Sequence, residues 1–105
     1  MKEVTVQELK QKIDNNEDFQ LIDVREEHEY EISNLNGELI PMGRVLDEVE
    51  NISKDKQVII HCKSGRRSEA IINELEKRFG FSNLYNLKGG ILAYAKEIDP
   101  SLHVY

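Results

Sequence analysis

Val58-Ile59-Ile60-His61-Cys62-Lys63-Ser64-Gly65-Arg66-Arg67-Ser68 is the stretch that decides the fold. Its short β-branched opening predicts a buried strand over Val58–His61. Beyond the loop, Ile71, Ile72, Leu75 and Phe79 line one face of a helix, which Gly80 can end in a left-handed cap. Strand, tight loop and helix in direct succession point to an α/β domain.

The flanking sequence repeats this alternation. Thr5 and Glu8 have capping-box spacing, and Val6, Leu9 and Ile13 fall on one helical face. Phe19–Val24 reads as a buried strand, Arg25–Tyr30 as a charged helical turn, and Glu38–Ile40 as a brief strand closed by Pro41. Met42, Val45, Leu46 and Val49 have helical spacing. Asn83–Leu87 is another strand, Gly89-Gly90 breaks the chain, and Ile91, Tyr94, Ala95 and Ile98 form a last helical face. The pattern implies a layered α/β domain with a largely parallel central sheet. Ligands bind such sheets beyond the carboxyl ends of the strands, so Asp23-Val24-Arg25, Cys62 and Gly89-Gly90 are expected on one rim. Gly89 and Gly90 read as a turn that lets the last helix pack closely.

The 105 residues accommodate one domain, 1–105. With 39% hydrophobic and 32% charged residues, no stretch has the apolar length of a membrane span, and Met1–Thr5 lacks a signal-peptide core. The expected address is the cytoplasm. A single cysteine excludes an internal disulfide. A net charge of −6 argues against nucleic acid or an anionic membrane as partner. Lys63, Arg66 and Arg67 are therefore a local exception: cations clustered beside the only thiol.

A thiol at the end of a buried strand, before a helix and among cations, is placed to ionise. In the six residues from Cys62 to Arg67, backbone N–H groups can turn inward around the sulfur. Gly65 allows a positive φ, and Ser68 can cap the helix. Such a cradle suits a sulfur that is anionic first as thiolate and then as persulfide. Rival cysteine chemistries fit less well. A dithiol oxidoreductase needs a second cysteine. A cysteine protease needs a histidine base, but His61 should point to the opposite face of its strand, and His28 and His103 read as surface residues. Zinc needs clustered ligands that the sequence lacks. A Cys-x5-Arg phosphatase loop would need arginine at Ser68, while Arg66 and Arg67 fall short of that position.

Three segments in this order resemble the rhodanese-like sulfurtransferase family in its single-domain form. They are Leu21-Ile22-Asp23-Val24-Arg25 with the following Glu29-Tyr30, the loop from His61 to Ser68, and Leu87-Lys88-Gly89-Gly90-Ile91 with Ala93-Tyr94. The tail Ile98–Tyr105 is similar to rhodanese domains fused to enzymes that adenylate sulfur carriers. The resemblance implies a three-layer domain with a central five-stranded parallel sheet flanked by helices, needing no cofactor and no metal. It implies that Cys62 is the nucleophile and persulfide carrier, and that Lys63, Ser64, Gly65, Arg66, Arg67 and Ser68 form the cradle. Lys63, Arg66 and Arg67 would attract an anionic donor and lower the thiol pKa, with Asp23 and Arg25 supporting the site as a structural pair. Thiosulfate or a persulfide is the expected donor. A thiol, cyanide or a sulfur-carrier protein is the expected acceptor, and a monomer or weak dimer the expected assembly. The alternatives are a persulfide relay or regulatory binding module without turnover, and a phosphatase-like enzyme. The chain departs from the family pattern at Asn34, where a histidine is usual; a changed surface loop is the expected consequence.

Overall fold

The computed structural model describes residues 1–104; Tyr105, the end of the quoted tail, lies outside the described residues. The chain alternates as β1 (Glu3–Val4), α1 (Val6–Asp14), β2 (Gln20–Asp23), α2 (Glu27–Ile32), β3 (Glu38–Leu39), β4 (Val58–His61), α3 (Arg66–Phe79), β5 (Leu84–Leu87) and α4 (Gly90–Glu97). Five parallel strands form one sheet in the order β1-β5-β4-β2-β3. The strand carrying the decisive stretch, β4, is therefore central and fully buried.

Alternation along the strands divides the interior into two layers. Ile22, Val58, Ile60, Cys62 and Leu84 pack with Ile71, Ile72 and Leu75 of α3. Ile59 and Leu87 pack with Val6 and Leu9 of α1 and Tyr94 of α4. The two apolar faces of the sheet are thus each covered by helix, which is the three-layer arrangement expected.

Local chemistry accounts for several element ends. Thr5 and Glu8 form a reciprocal capping box at α1. At α2 the Glu29 carboxylate accepts from Glu26 N–H at 2.9 Å. Gly80 ends α3 with φ +71°. The structure departs from the sequence reading at several places, among them Phe79 at the end of α3, which is 37% exposed and does not join Ile71, Ile72 and Leu75 in the core. The segment Met42–Asp47 is a 3-10 helix, as is Val49–Asn51, rather than one α-helix. Pro41 opens the first, and only Val45 is buried within it, so little apolar area rewards a longer α-helical run. Ile13, in the last turn of α1, remains 38% exposed at the rim of a cleft instead of joining the core. The two-residue edge strand β1 carries no alternation to read.

Candidate functional site

Cys62 directly follows β4 and is buried. The loop after it turns its N–H groups towards the sulfur and its carbonyls away. Gly65 N–H donates to Sγ at 3.1 Å, which requires the left-handed turn Gly65 makes at φ +101°. Facing the other way, the Cys62 and Lys63 carbonyls accept from Ile91 and Leu92 N–H, each at 3.0 Å. Two otherwise orphaned donors in the first turn of α4 are thereby satisfied by the loop. Gly90 makes this contact possible: a Cβ there would stand 2.3 Å from the Lys63 oxygen. Gly89 and Gly90 both have positive φ, in keeping with a turn that brings the last helix close. One rim therefore holds Cys62, the Gly89-Gly90 turn and the Asp23–Arg25 segment, whose Val24 N–H bonds the His61 carbonyl.

Helix α3 begins at Arg66 with Gly65 as its N-cap, so Ser68 is not the cap the sequence suggested. It sits within the first turn, buried, with its hydroxyl 3.4 Å from Cys62 Sγ. The hydroxyl donates to Asn86 Oδ1 at 2.6 Å, and Asn86 Nδ2 donates to the Gly65 carbonyl at 3.1 Å. Asn86 reaches the loop because it is the register partner of Ile60 and shares its face of the sheet with Cys62. Sequence reasoning missed Asn86, since its place depends on a pairing across 26 positions.

Burial pushes the Cys62 thiol up, but hydrogen bonds outweigh it and leave the pKa below its ordinary value. The Ser68 hydroxyl contributes most, followed by the backbone N–H groups of Ser68, Gly65 and Arg67. The leading contributions are thus hydrogen bonds, while the attraction between the Cys62 charge and a loop cation shows at Arg67, whose pKa it raises.

The cations differ in their setting. Arg66 is exposed and Lys63 half-buried. Arg67 instead makes a bidentate pair with Glu29 of α2, at 2.7 and 2.9 Å. That pair lowers the Glu29 carboxyl to about 2, against its own burial and with help from Glu26 N–H. It also raises Arg67, with the Cys62 and Asp23 charges adding to the effect. Arg67 is thus a tie between α2 and α3 rather than a free anion receptor. Ser64 is exposed.

Asp23 and Arg25 form a fully buried ion pair. Arg25 Nη2 lies 2.9 Å from Asp23 Oδ2 and also donates to the Ser33 carbonyl at 2.8 Å, fastening the end of α2. The pair thus ties the end of β2 to the end of α2. His61 is the register partner of Asp23 and points to the face opposite Cys62, as alternation requires. It is buried, with neither ring nitrogen hydrogen-bonded. His28 and His103 are exposed. Asn34 donates to the Tyr30 carbonyl at 3.1 Å and accepts from Asn36 N–H at 2.9 Å, so it shapes the turn after α2. A cleft of 630 Å³, lined in part by Phe19, Leu21, Gly37 and Glu38, lies by the amino ends of β2 and β3, away from Cys62.

Residues 5–97 match the rhodanese-like domain family. The chain belongs to that family. Among rhodanese-like proteins, it is 35% identical over 95% of its length to "Putative sulfurtransferase YtwF" of Bacillus subtilis, of which it covers 96%. It is also 35% identical to a rhodanese-like/PpiC domain-containing chloroplastic protein of Arabidopsis thaliana and 34% identical to the "Probable adenylyltransferase/sulfurtransferase MoeZ" of Mycobacterium tuberculosis. It spans only 38% and 26% of those two proteins. A rhodanese-like domain protein of Staphylococcus aureus superposes over the whole chain, and over 99% of its own, with a TM-score of 0.83 at 30% identity. The rhodanese-like fold and membership of a sulfurtransferase family are thereby established. No helix among the described residues is long and apolar enough to cross a membrane.

Proposed function

We propose that this protein is a sulfurtransferase that carries sulfane sulfur as a persulfide on Cys62, taking it from thiosulfate or another persulfide donor. The observation that carries the reading is the ring of hydrogen-bond donors around one buried thiol. Those donors stabilise the thiolate that attacks the outer sulfur of thiosulfate. Attack breaks the donor's S–S bond, sulfite leaves with the electron pair, and Cys62 becomes Cys–S–S⁻. A nucleophilic acceptor such as cyanide, a thiol or a sulfur carrier's terminus then removes the outer sulfur and restores the thiolate. Lys63 and the exposed Arg66 are the cations left to draw in an anionic donor. The proposed setting is the cytoplasm, where a reducing environment keeps the thiol available.

Mass spectrometry after exposure to thiosulfate tests this directly. A gain of about 32 Da, one sulfur atom in the covalent-intermediate scheme, is expected on the protein and absent from Cys62→Ser. No gain, or a gain that survives the substitution, would overturn the proposal. Thiocyanate formed with cyanide distinguishes turnover from a relay that only carries sulfur. A Cys62-dependent phosphatase activity would restore the rival assignment.

A further inference from the structure

We infer that Asn86 is a positioning residue that holds the Ser68 hydroxyl proton away from Cys62 until the sulfur becomes anionic. The hydrogen bonds fix the assignment. Asn86 Nδ2 donates to the Gly65 carbonyl, so Oδ1 is the end that faces Ser68. An amide oxygen only accepts, so the single Ser68 proton lies between Ser68 Oγ and Asn86 Oδ1. The 3.4 Å contact between Ser68 Oγ and Cys62 Sγ is then made with the thiol's own proton. The chain of donation runs Cys62 to Ser68 to Asn86, and all three residues are buried.

Loss of the thiol proton to solvent breaks the first link. Two acceptors, the thiolate and Asn86 Oδ1, then compete for one hydroxyl proton. A bond to a charged acceptor is roughly twice as strong as a neutral one, so the hydroxyl turns to the sulfur. When Sγ takes on a second sulfur, its charge moves outward and the hydroxyl returns to Asn86. This last step rests on the proposed sulfur transfer; the step at the thiol does not. Asn86 therefore acts against the thiolate, and removing its oxygen frees the Ser68 proton for sulfur permanently. The Gly65 carbonyl still accepts from Glu69 N–H at 3.1 Å, so an apolar residue at position 86 leaves no orphaned loop carbonyl.

The test is the rate of iodoacetamide alkylation against pH, which reports one site because Cys62 is the only cysteine. Asn86→Leu is expected to lower the Cys62 pKa by about half a unit, the equivalent of a weak neutral hydrogen bond. Ser68→Ala is expected to raise it by about one unit through loss of a donor to the thiolate. In the Ser68→Ala background, Asn86→Leu is expected to change nothing. A rise with Asn86→Leu, or the same shift in both backgrounds, would show that Asn86 only packs the loop and would overturn the inference. Should Asn86→Leu not fold, Asn86→Val carries the same expectation in a side chain suited to a strand. No sulfur donor is used, so failure here leaves the sulfur-transfer reading standing. A missing thiosulfate adduct would leave the thiol step standing in turn.

Discussion

At the scale of the residue, His61 is the most exacting feature of the central strand. Burial drives its pKa below the ordinary 6.5; the Asp23 carboxylate, 3.7 Å from Nε2, pulls upward but does not prevail. The folded protein thus keeps the imidazole neutral, while the unfolded chain protonates it below that value. Where the unfolded state binds more protons, stability rises with pH, so acidification through 6.5 destabilises the fold. Glu29 acts in the same direction at lower pH: its stabilising ionisation is lost as pH falls from 4.5 towards about 2. The two windows can be separated by experiment. Urea unfolding of the wild type is expected to show falling stability between pH 7 and 5, in the range of His61. His61→Leu, which leaves no ring nitrogen to charge, should flatten that limb and leave the loss below pH 4.5 in place. An unchanged slope in His61→Leu would assign the pH 5–7 limb to another group.

At the scale of the element, α3 opens against its own interest. A helix N-terminus carries partial positive charge and prefers acidic residues, yet Arg66 and Arg67 occupy the first turn, with Glu69 the only acid there. Glu29 neutralises Arg67, and nothing pairs with Arg66 among the ion pairs of the described residues. Such a local misfit beside the thiol is intelligible if the cation serves an anionic ligand. Arg66→Glu is accordingly expected to hold or raise the melting temperature, through a helix-terminus gain of about 0.3–1 kcal/mol. The same substitution should raise KM for thiosulfate at least several-fold, an effect that shrinks in high salt. A lower melting temperature with unchanged KM would mean that Arg66 is structural. Elements of this kind were legible to the extent that their signal is local. The β-branched run of β4, the Ile71, Ile72 and Leu75 face of α3 and the Thr5–Glu8 box each occupy a few neighbouring residues and appear where the sequence placed them, whereas Phe79 at the helix end is exposed. The Asn86–Ser68 bond and the Arg67–Glu29 pair join residues 18 and 38 positions apart, and only strand register and helix docking bring them together. Ser68 was misread for the same reason. A hydroxyl near a helix start resembles a cap until a buried partner across the sheet claims it.

At the scale of the whole molecule, the sulfur cradle is assembled by docking α4 on the loop, so distant backbone governs the geometry at Cys62. Two glycines separate this effect from ordinary backbone strain. Gly80 and Gly90 both have positive φ, +71° and +63°, so alanine at either meets the left-handed penalty of about 1–2 kcal/mol. A Cβ at Gly80 meets nothing within 4 Å. At Gly90 it would press on the Lys63 and Cys62 carbonyl groups, at 2.3 and 2.7 Å to the oxygens, and these are backbone atoms that cannot turn aside. Relieving the clash must move either α4 or the loop, breaking the bonds from Ile91 and Leu92 N–H, at a further cost of about 1–3 kcal/mol for overpacking. Gly90→Ala is therefore expected to lose more stability in urea unfolding than Gly80→Ala, by roughly that second amount. It should also raise the Cys62 pKa in alkylation profiles, because the displaced loop no longer aims its N–H groups at sulfur, whereas Gly80→Ala should leave the profile unchanged. Equal stability losses with matching pH profiles would mean that α4 yields to the new methyl group and that the loop holds its shape without it.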